Sequence, residues 1–304
     1  MKKNFYSNGK LLITGEYLVL DGAKAFALPT KFGQNLTIEE SEGNLIHWKS
    51  FDSDGSIWFE DTIPFSSITR KERFDDAKNI KNTLIEILHE AYLMNADFIS
   101  NSKGYTITTE LTFPKFWGLG TSSTLINNIA QWLQIDAFEL VRRSFGGSGY
   151  DIACAQNNTP IVYQIVHEKP VVEIVNFNPN FTDKIFFVYL NKKQNSKAAI
   201  ASYYGKKENS EESILKINSI TETVIQAKSA TAFAIALQNH EIEMSNILEL
   251  ATVKEALFPD FDGVIKSLGA WGGDFVLSIS KENPTDYFKE KGFAIVIGYE
   301  EMIL

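Results

Sequence analysis

The chain has 304 residues, 44% of them hydrophobic and 22% charged, which is typical of a soluble globular protein with one large domain or two of ordinary size. A net charge of −9 with scattered lysines and arginines argues against nucleic-acid binding, and no apolar run is long enough to cross a membrane. The first ten residues lack the apolar stretch of a secretion signal, and the single Cys154 excludes an internal disulfide or thiolate zinc site, so we expect a cytoplasmic protein.

The first half of the sequence alternates strand patterns with helix patterns. Four runs have the composition or alternation of strands: residues 32–40, 45–48, 57–59 and 105–113. Between the second and third runs, Asp54 and Gly55 form an Asp-Gly pair, which is a strong hairpin signal. Apolar residues at helical spacing predict helices over residues 77–96 and 125–134. Asp136 and Glu139 have the pattern of a capping box that opens a further short helix, which glycines at 146–149 end.

The second half changes character after about residue 178. The predicted elements are a strand, two long helices, a strand, a short helix and a strand, over residues 185–190, 213–238, 241–257, 275–280, 284–291 and 293–298. This βααβαβ order suggests a ferredoxin-like layer of helices on a sheet. We therefore expect an α+β protein with one domain at residues 1–178 and a second at residues 179–304.

The most informative single segment is the glycine-rich stretch at residues 117–124, between a predicted strand and a predicted helix. Glycine lets the backbone turn tightly and approach a ligand, and hydroxyl side chains follow where helix N–H groups have no partner. Free N–H donors and the helix dipole favour phosphate at such a place, and a serine or threonine hydroxyl can also bind Mg²⁺. The Walker pattern is absent. A structural turn capped by serines would look similar, so this segment alone leaves both interpretations open.

Four glycine-containing segments follow one another along the chain. The first motif, residues 8–20, reads Asn-Gly-Lys-Leu-Leu-Ile-Thr-Gly-Glu-Tyr-Leu-Val-Leu, and the nucleotide loop, residues 114–124, contains Gly-Leu-Gly-Thr-Ser-Ser. The aspartate segment, residues 147–153, reads Gly-Ser-Gly-Tyr-Asp-Ile-Ala, and the C-terminal glycine motif, residues 268–274, reads Leu-Gly-Ala-Trp-Gly-Gly-Asp. In order and rough spacing these segments resemble the motifs of the GHMP kinases, the family of galactokinase, homoserine kinase, mevalonate kinase and phosphomevalonate kinase. The resemblance spans essentially the whole chain.

The resemblance implies a fold, a reaction and a set of site residues. The implied fold is a β-rich N-terminal domain of the ribosomal S5 domain 2 type and a ferredoxin-like C-terminal domain, with the active site between them. The implied reaction transfers the γ-phosphoryl group of ATP, with Mg²⁺, and Lys10 and Asp151 are carried over as the catalytic pair. The nucleotide-binding residues carried over are Gly118, Leu119, Gly120, Thr121, Ser122 and Ser123, with Ser122 also as an Mg²⁺ ligand. The substrate-binding residues carried over are Glu16, Ser148, Gly269, Gly272, Gly273 and Asp274.

Finer details bear on the acceptor. Gly-Gly-Asp at residues 272–274 resembles the ending of this motif in phosphomevalonate kinases, and residues 115–120 resemble their entry to the nucleotide loop. A lysine-rich stretch with Lys193, Ser196 and Lys197 is suited to a second anion, such as a phosphorylated acceptor, although lysines in a loop are usually just solvated. These features favour phosphomevalonate over mevalonate as the acceptor, and thus a kinase of isoprenoid biosynthesis.

The sequence also departs from the family pattern. Asn8 replaces the usual proline, Trp271 replaces a glycine, and the Mg²⁺-binding glutamate of mevalonate kinases has no clear match, since Leu140 falls near its position. Two alternatives therefore stay open: a lyase similar to diphosphomevalonate decarboxylase, and a non-catalytic GHMP-fold protein that binds a ligand. We expect a small acidic substrate as partner, no nucleic acid and no membrane, and a homodimer is compatible with the resemblance.

Overall fold

The computed structural model describes residues 2–74, 80–192, 203–204 and 211–304, and the descriptions below concern those residues. The chain packs as two compact units, each made of several stretches of sequence. The first unit comprises Met1–Gly9, Phe32–Lys115 and Leu119–Gln156, and the second comprises Lys10–Lys31, Phe116–Gly118 and Asn157–Leu304. A domain boundary in the sequence near residue 178 stays a prediction.

The strands and helices have the following bounds. The strands are β1 (Lys3–Thr14), β2 (Ala25–Glu40), β3 (Leu45–Phe51), β4 (Ile57–Pro64), β5 (Tyr105–Leu111), β6 (Ile161–Val166), β7 (Lys169–Ile174), β8 (Ile185–Tyr189), β9 (Val264–Ser267), β10 (Phe275–Ile279) and β11 (Val296–Gly298). The helices are α1 (Phe65–Thr69), α2 (Ile80–Met94), α3 (Asp97–Ser100), α4 (Thr121–Leu133), α5 (Ala137–Ser144), α6 (Tyr150–Gln156), α7 (Glu211–Gln226), α8 (Ala230–Leu248), α9 (Val253–Leu257), α10 (Thr285–Glu290) and α11 (Tyr299–Met302). Strands and helices are mixed along the chain, as the α+β prediction requires.

The first unit contains a mixed sheet covered by helices. Strands β4, β3, β5 and the C-terminal half of β2 are hydrogen-bonded in that order, with β3 and β5 parallel and the other pairs antiparallel. The predicted hairpin joins β3 to β4, and its turn is closed by a 2.9 Å hydrogen bond from the Gly55 N–H to the Asp52 carbonyl. Apolar residues of this sheet, such as Trp48 and Ile107, form one core with the buried faces of α2, α4 and α5.

The second unit contains a separate antiparallel sheet. Its strand order is β11, β8, β10, β9, and every neighbouring pair is antiparallel. Helices α7 and α8 come between β8 and β9, and α10 comes between β10 and β11, so the chain follows the βαββαβ plan of a ferredoxin-like fold. The same unit holds the β6–β7 hairpin, whose first strand also pairs with the N-terminal half of β2.

The structure corrects the predicted secondary structure at several places. The helical patterns predicted over 213–238 and 241–257 divide earlier, because α7 ends at Gln226 and Ser229 caps α8 by accepting a 3.2 Å hydrogen bond from the Ala232 N–H. Strand β9 is missing from the predicted order, since it is short and contains Lys266, a charged residue that is nevertheless fully buried. Strands β1, β6 and β7 were also not predicted. With β9 added, the predicted βααβαβ order becomes the ferredoxin-like one.

Candidate active site

The nucleotide loop leads directly into α4 in the first unit. The helix begins at Thr121, four residues before the predicted start, and Gly120 occupies its N-cap position with a left-handed φ of 101° and no side-chain cap. The hydroxyl of Ser123 donates to the Gly120 carbonyl at 2.9 Å, and that of Thr124 donates to the Gln34 side-chain oxygen at 2.8 Å. Neither the N-cap residue nor these two hydroxyls caps the first N–H groups of α4. This is the arrangement that phosphate prefers at a helix N-terminus.

Buried amides hold α4 in place. Asn127 and Asn128 lie on its buried face: Asn127 donates to the Ser7 hydroxyl at 2.8 Å, and this hydroxyl donates to the Asn128 side-chain oxygen at 2.8 Å. Asn128 also donates to the backbone carbonyl of Gln34 at 2.9 Å. These hydrogen bonds attach the helix to β1 and β2 with fixed geometry. Sequence reasoning missed these residues, although two adjacent asparagines on the apolar face of a predicted helix were a signal that could have found them.

The aspartate segment lies in the same unit as the start of α4. Asp151 is in the first turn of α6, is half-buried, and follows Gly149, which has a left-handed φ of 91°. Helix α6 packs against α4, and the Gln156 side chain donates to the Asn127 side-chain oxygen at 3.1 Å. Ser148 is half-buried in the turn before α6. The fold therefore places Asp151 and the nucleotide loop on two helices that pack together.

Residues of the first motif and of the C-terminal glycine motif meet at Gly118 in the second unit. Lys10 lies on β1, and its ammonium donates to the Gly118 carbonyl at 3.1 Å. Gly118 has a φ of 70°, and a Cβ atom on it would lie 2.3 Å from the Asp274 carboxylate. The Asp274 backbone is held in turn by hydrogen bonds with Leu190 and Lys192. Lys10, Gly118 and Asp274 are thus neighbours, as a common site requires.

The two tryptophans of these motifs anchor their loops. The Trp271 side chain packs in an apolar cluster with Tyr17 and Met244, and its indole N–H donates to the Ala251 carbonyl at 3.1 Å. Its backbone N–H donates to the Tyr17 hydroxyl at 2.9 Å. Trp117 packs edge-on against Phe275 with ring centroids 5.5 Å apart. The half-buried indole of Trp271 is therefore held against the apolar cluster.

The glycines of the C-terminal motif have the backbone freedom that a ligand loop needs. Gly269 and Gly272 adopt left-handed φ values of 69° and 72°, and a Cβ atom on either would meet nothing within 4 Å. Gly273 is buried, and its N–H donates to the Ala270 carbonyl at 3.3 Å. The first two glycines therefore border open space. A substrate-binding role for all three stays a prediction.

Glu16 is buried, with its carboxylate turned to other ionisable groups. Its side chain is 2% exposed, and its Oε1 accepts a 2.6 Å hydrogen bond from the ammonium of Lys266. Burial raises the pKa of Glu16 to about 7, although Lys266 opposes the shift. Burial also lowers the pKa of neighbouring His240 well below its usual value. The carboxylate thus presents no oxygen to solvent. Sequence reasoning missed Lys266 and His240, since nothing in their local pattern marks them.

Lys193, Ser196 and Lys197, which the sequence analysis assigned to the acceptor, lie outside the residues that the structure describes.

The described residues hold no cluster of three or more His, Cys, Asp or Glu side chains suited to a metal ion. Kinase sites usually hold Mg²⁺ through the substrate phosphates and one or two protein oxygens, which the half-buried Ser122 hydroxyl in the first turn of α4 can supply. In the described part of the chain, no helix is long and apolar enough to span a bilayer.

Comparison with known proteins adds evidence about the fold. No protein-family model matches the chain, and no characterised protein matches it by sequence. The phosphomevalonate kinase of Streptococcus pneumoniae, in complex with phosphomevalonate and AMPPNP, has a TM-score of 0.70 at 14% identity, covering 97% of this chain and 99% of that one. The mevalonate kinase of Methanococcus jannaschii has a TM-score of 0.65 at 14% identity, covering 96% and 95%. The galactokinase of Lactococcus lactis, in complex with galactose, has a TM-score of 0.65 at 13% identity, covering 95% of this chain and 88% of that one.

The chain therefore has the fold of the GHMP kinases over nearly its whole length. The α+β class and the resemblance drawn from the sequence motifs are confirmed at the level of fold. The three similar structures are kinases of different acceptors, so the fold defines a scaffold on which several substrates are used.

Proposed function

We propose that this protein is an ATP-dependent phosphotransferase of the GHMP type, acting on a small acidic acceptor, with phosphomevalonate preferred over mevalonate. The observation that carries the proposal is the 3.1 Å hydrogen bond from the Lys10 ammonium to the Gly118 carbonyl. It joins the lysine of the first motif to the first glycine of the nucleotide loop. This contact holds the lysine ammonium beside the loop, where a lysine that acts on a phosphoryl group must lie.

The proposed chemistry follows from the charges that these residues carry. Phosphoryl transfer has a loose transition state, so catalysis consists mainly of positioning and of stabilising negative charge. The N-terminus of α4, with no cap from its N-cap residue, supplies N–H donors for phosphate, and Lys10 supplies a positive charge. When bound, Mg²⁺ neutralises phosphate charge, and the Ser122 hydroxyl is the proposed protein ligand.

The role proposed for Asp151 depends on the acceptor. With an alcohol such as mevalonate, a carboxylate must take the proton of the attacking hydroxyl. With a phosphorylated acceptor, the second pKa of the phosphate is near 6, so the attacking oxygen is already mostly deprotonated at neutral pH. Asp151 then acts mainly by electrostatic orientation, and we expect its removal to cost less turnover with phosphomevalonate than with mevalonate.

The preference for phosphomevalonate rests on the Gly-Gly-Asp ending at residues 272–274, which resembles that of phosphomevalonate kinases. The structural likeness to the Streptococcus pneumoniae enzyme extends over both chains. The likeness to mevalonate kinase and galactokinase is nearly as great, so it does not decide the acceptor. A role for Lys193 and Lys197 in binding the acceptor phosphate is part of the same proposal.

The test is ADP release from Mg-ATP with mevalonate, phosphomevalonate, homoserine and galactose, each offered separately. Lys10→Met and Asp151→Asn remove the proposed groups at nearly constant shape, and Lys291→Met is the control, since Lys291 forms an exposed ion pair with Asp260 at 2.9 Å. Turnover of phosphomevalonate that is lost in Lys10→Met and kept in Lys291→Met supports the proposal. ATP-dependent release of CO₂ from diphosphomevalonate supports the lyase alternative. ATP binding without turnover of any acceptor supports the non-catalytic one.

A further inference from the structure

A compact cluster of ionisable side chains lies in the interior of the second unit. Its members are each at most 2% exposed: Glu16, His240, Glu241 and Lys266. The Lys266 ammonium is 2.6 Å from Glu16 Oε1 and 3.5 Å from Glu241 Oε2, and it also donates to the Ser267 carbonyl. Two carboxylates thus share one ammonium. Glu16 Oε2 and His240 Nδ1 are buried without a hydrogen-bond partner among the described residues.

The cluster joins three segments of the second unit. Strand β1 carries Lys10 and ends at Thr14, and the next N–H, that of Gly15, donates to His240 Nε2 on α8 at 2.9 Å. Glu241 on the same helix accepts from the backbone N–H and the hydroxyl of Ser267, at 3.0 and 2.8 Å. Ser267 is the last residue of β9, and the C-terminal glycine motif follows directly. The cluster therefore ties the strand of Lys10 to the entry of that motif.

Stability does not account for these charges. Moving charged groups from water into a protein interior costs free energy that their mutual attraction often fails to recover. Here the balance is poor, because the carboxylates outnumber the ammonium and two polar atoms have no partner in the described part of the chain. Apolar residues at these positions would hold the segments together at lower cost. What an ion pair and charge-assisted hydrogen bonds add is a defined direction and register.

We propose that Glu16, Glu241 and Lys266 are positioning residues that hold the C-terminal glycine motif, residues 268–274, in register with the strand that carries Lys10. This inference rests on the proposed function, because it assigns the cluster a part in the same site. The strand of Lys10 and the C-terminal glycine motif both reach Gly118, since Lys10 and Asp274 each lie next to it. In this arrangement Glu16 acts through Lys266 and does not contact the substrate.

The cluster also predicts a pH dependence. The groups that face Glu16 are Lys266 on β9 and His240 and Glu241 on α8, with Tyr17 next to it in the sequence. His240 stays neutral because burial holds its pKa well below the usual range. Burial raises the pKa of Glu16 to about 7, so its ion pair with Lys266 forms as the pH rises through that value and is lost below it. We expect kcat to fall on the acid side of pH 7, and this acid limb to be absent in Glu16→Gln.

The test compares Lys266→Met, Glu16→Gln and the double variant with Lys291→Met, which removes an exposed lysine of the same unit. We expect kcat to fall about 100-fold in Lys266→Met, with the KM for ATP changed by less than about threefold, since misplaced groups cost turnover more than binding. We also expect amide hydrogen exchange of residues 268–274 to become faster in Lys266→Met and to stay unchanged in Lys291→Met. The double variant removes the Glu16–Lys266 ion pair and leaves Glu241 with its hydrogen bonds from Ser267, so we expect it to be more stable than Lys266→Met while its kcat stays low.

Several outcomes would overturn the proposal. If kcat recovers together with stability in the double variant, the cluster serves stability alone. If the wild-type protein turns over no acceptor, the proposed function fails, but hydrogen exchange still decides the present inference, and unchanged exchange of residues 268–274 in Lys266→Met contradicts it. Should Lys266→Met not fold, the nearly isosteric Glu16→Gln removes the same ion pair, and faster hydrogen exchange of residues 268–274 is expected in it. A Glu16→Gln protein with a normal kcat and an unchanged acid limb also contradicts it.

Discussion

Lys10 and Gly118 are 108 positions apart in the sequence, yet the lysine ammonium donates a 3.1 Å hydrogen bond to the glycine carbonyl. Gly118 has no room for a side chain, because a Cβ atom there would lie 2.3 Å from the Asp274 carboxylate. One glycine thus borders residues from two other motifs. Substitutions here and in the neighbouring loops separate the contribution of packing from that of chemistry.

Gly118→Ala is expected to cost both stability and turnover. A left-handed φ costs a non-glycine residue about 1 kcal/mol, and the clash with Asp274 adds roughly 1–2 kcal/mol. Because Asp274 must move, we expect kcat/KM to fall by about 100-fold. Urea unfolding and steady-state kinetics measure the two effects.

The matched control for Gly118→Ala is Gly292→Ala. Gly292 also has a left-handed φ, of 90°, but a Cβ atom on it meets nothing within 4 Å. This variant carries the backbone strain without the clash, so its free energy of unfolding should fall by about 1 kcal/mol while its kcat/KM stays unchanged. Equal losses in the two variants would show that the approach of Asp274 to Gly118 has no importance.

Ser122→Ala tests the proposed metal ligand. The hydroxyl lies in the first turn of α4, where no side-chain cap is present, so its removal should affect the metal–nucleotide complex and leave the helix intact. We expect kcat/KM for Mg-ATP to fall at least about tenfold, and the Mg²⁺ concentration for half-maximal turnover to rise.

Ser144→Ala is the control for this change. Its hydroxyl donates to the Leu140 carbonyl at 2.6 Å within α5, in the same unit. Its kinetic constants should be unchanged. A Ser122→Ala protein with the wild-type dependence on Mg²⁺ would remove Ser122 from the site.

Trp271→Gly introduces the residue that the GHMP kinase motif has at this position and tests whether the indole contacts a ligand. The side chain packs with Tyr17 and Met244, so its loss should lower the free energy of unfolding by about 3 kcal/mol. Trp271→Phe keeps most of the packing and loses the hydrogen bond to Ala251, so the free energy of unfolding should fall by only about 1 kcal/mol. Measured on folded protein, kcat should stay within about threefold of the wild type in both variants. Lost turnover in a stable Trp271→Phe protein would instead place the indole in the site.

Glu16→Gln tests the buried charge through the pH dependence of stability. The Glu16 pKa is raised from 4.5 to about 7, so the folded state binds a proton that the unfolded state releases between these values. Wild-type stability contributed by this group is therefore present at low pH and lost as the pH rises through about 7. As the pH rises from 4.5 to 8, the free energy of unfolding of Glu16→Gln should therefore increase by about 3 kcal/mol relative to that of the wild type.

Chemical denaturation at a series of pH values measures this difference. His240 is present in both proteins, so its own titration largely cancels in the comparison. A difference in stability that does not change with pH would mean that Glu16 ionises in the folded protein as it does in the unfolded chain.

The sequence by itself determined the features that neighbouring residues encode. The helix at α2, the hairpin at Gly55 and the cap at Asp136 follow from local periodicity and turn chemistry, and Asp136 indeed accepts from the N–H groups of Phe138 and Glu139. The four glycine-containing segments and their order also predicted the GHMP kinase fold. Each of these patterns lies within a short stretch of chain, where no distant contact is needed to read it.

Only the tertiary structure decided which distant groups meet. Lys266 is a single lysine in the short strand segment Val-Ile-Lys-Ser, where nothing local marks it as buried, and its burial depends on Glu16, which is 250 positions away. The direction of the Trp271 side chain likewise depends on Tyr17 and Met244, and strand β9 exists because β10 pairs with it. Burying a charge costs hydration free energy, which an oppositely charged or hydrogen-bonding group must offset. In this protein another segment of the folded chain supplies that group.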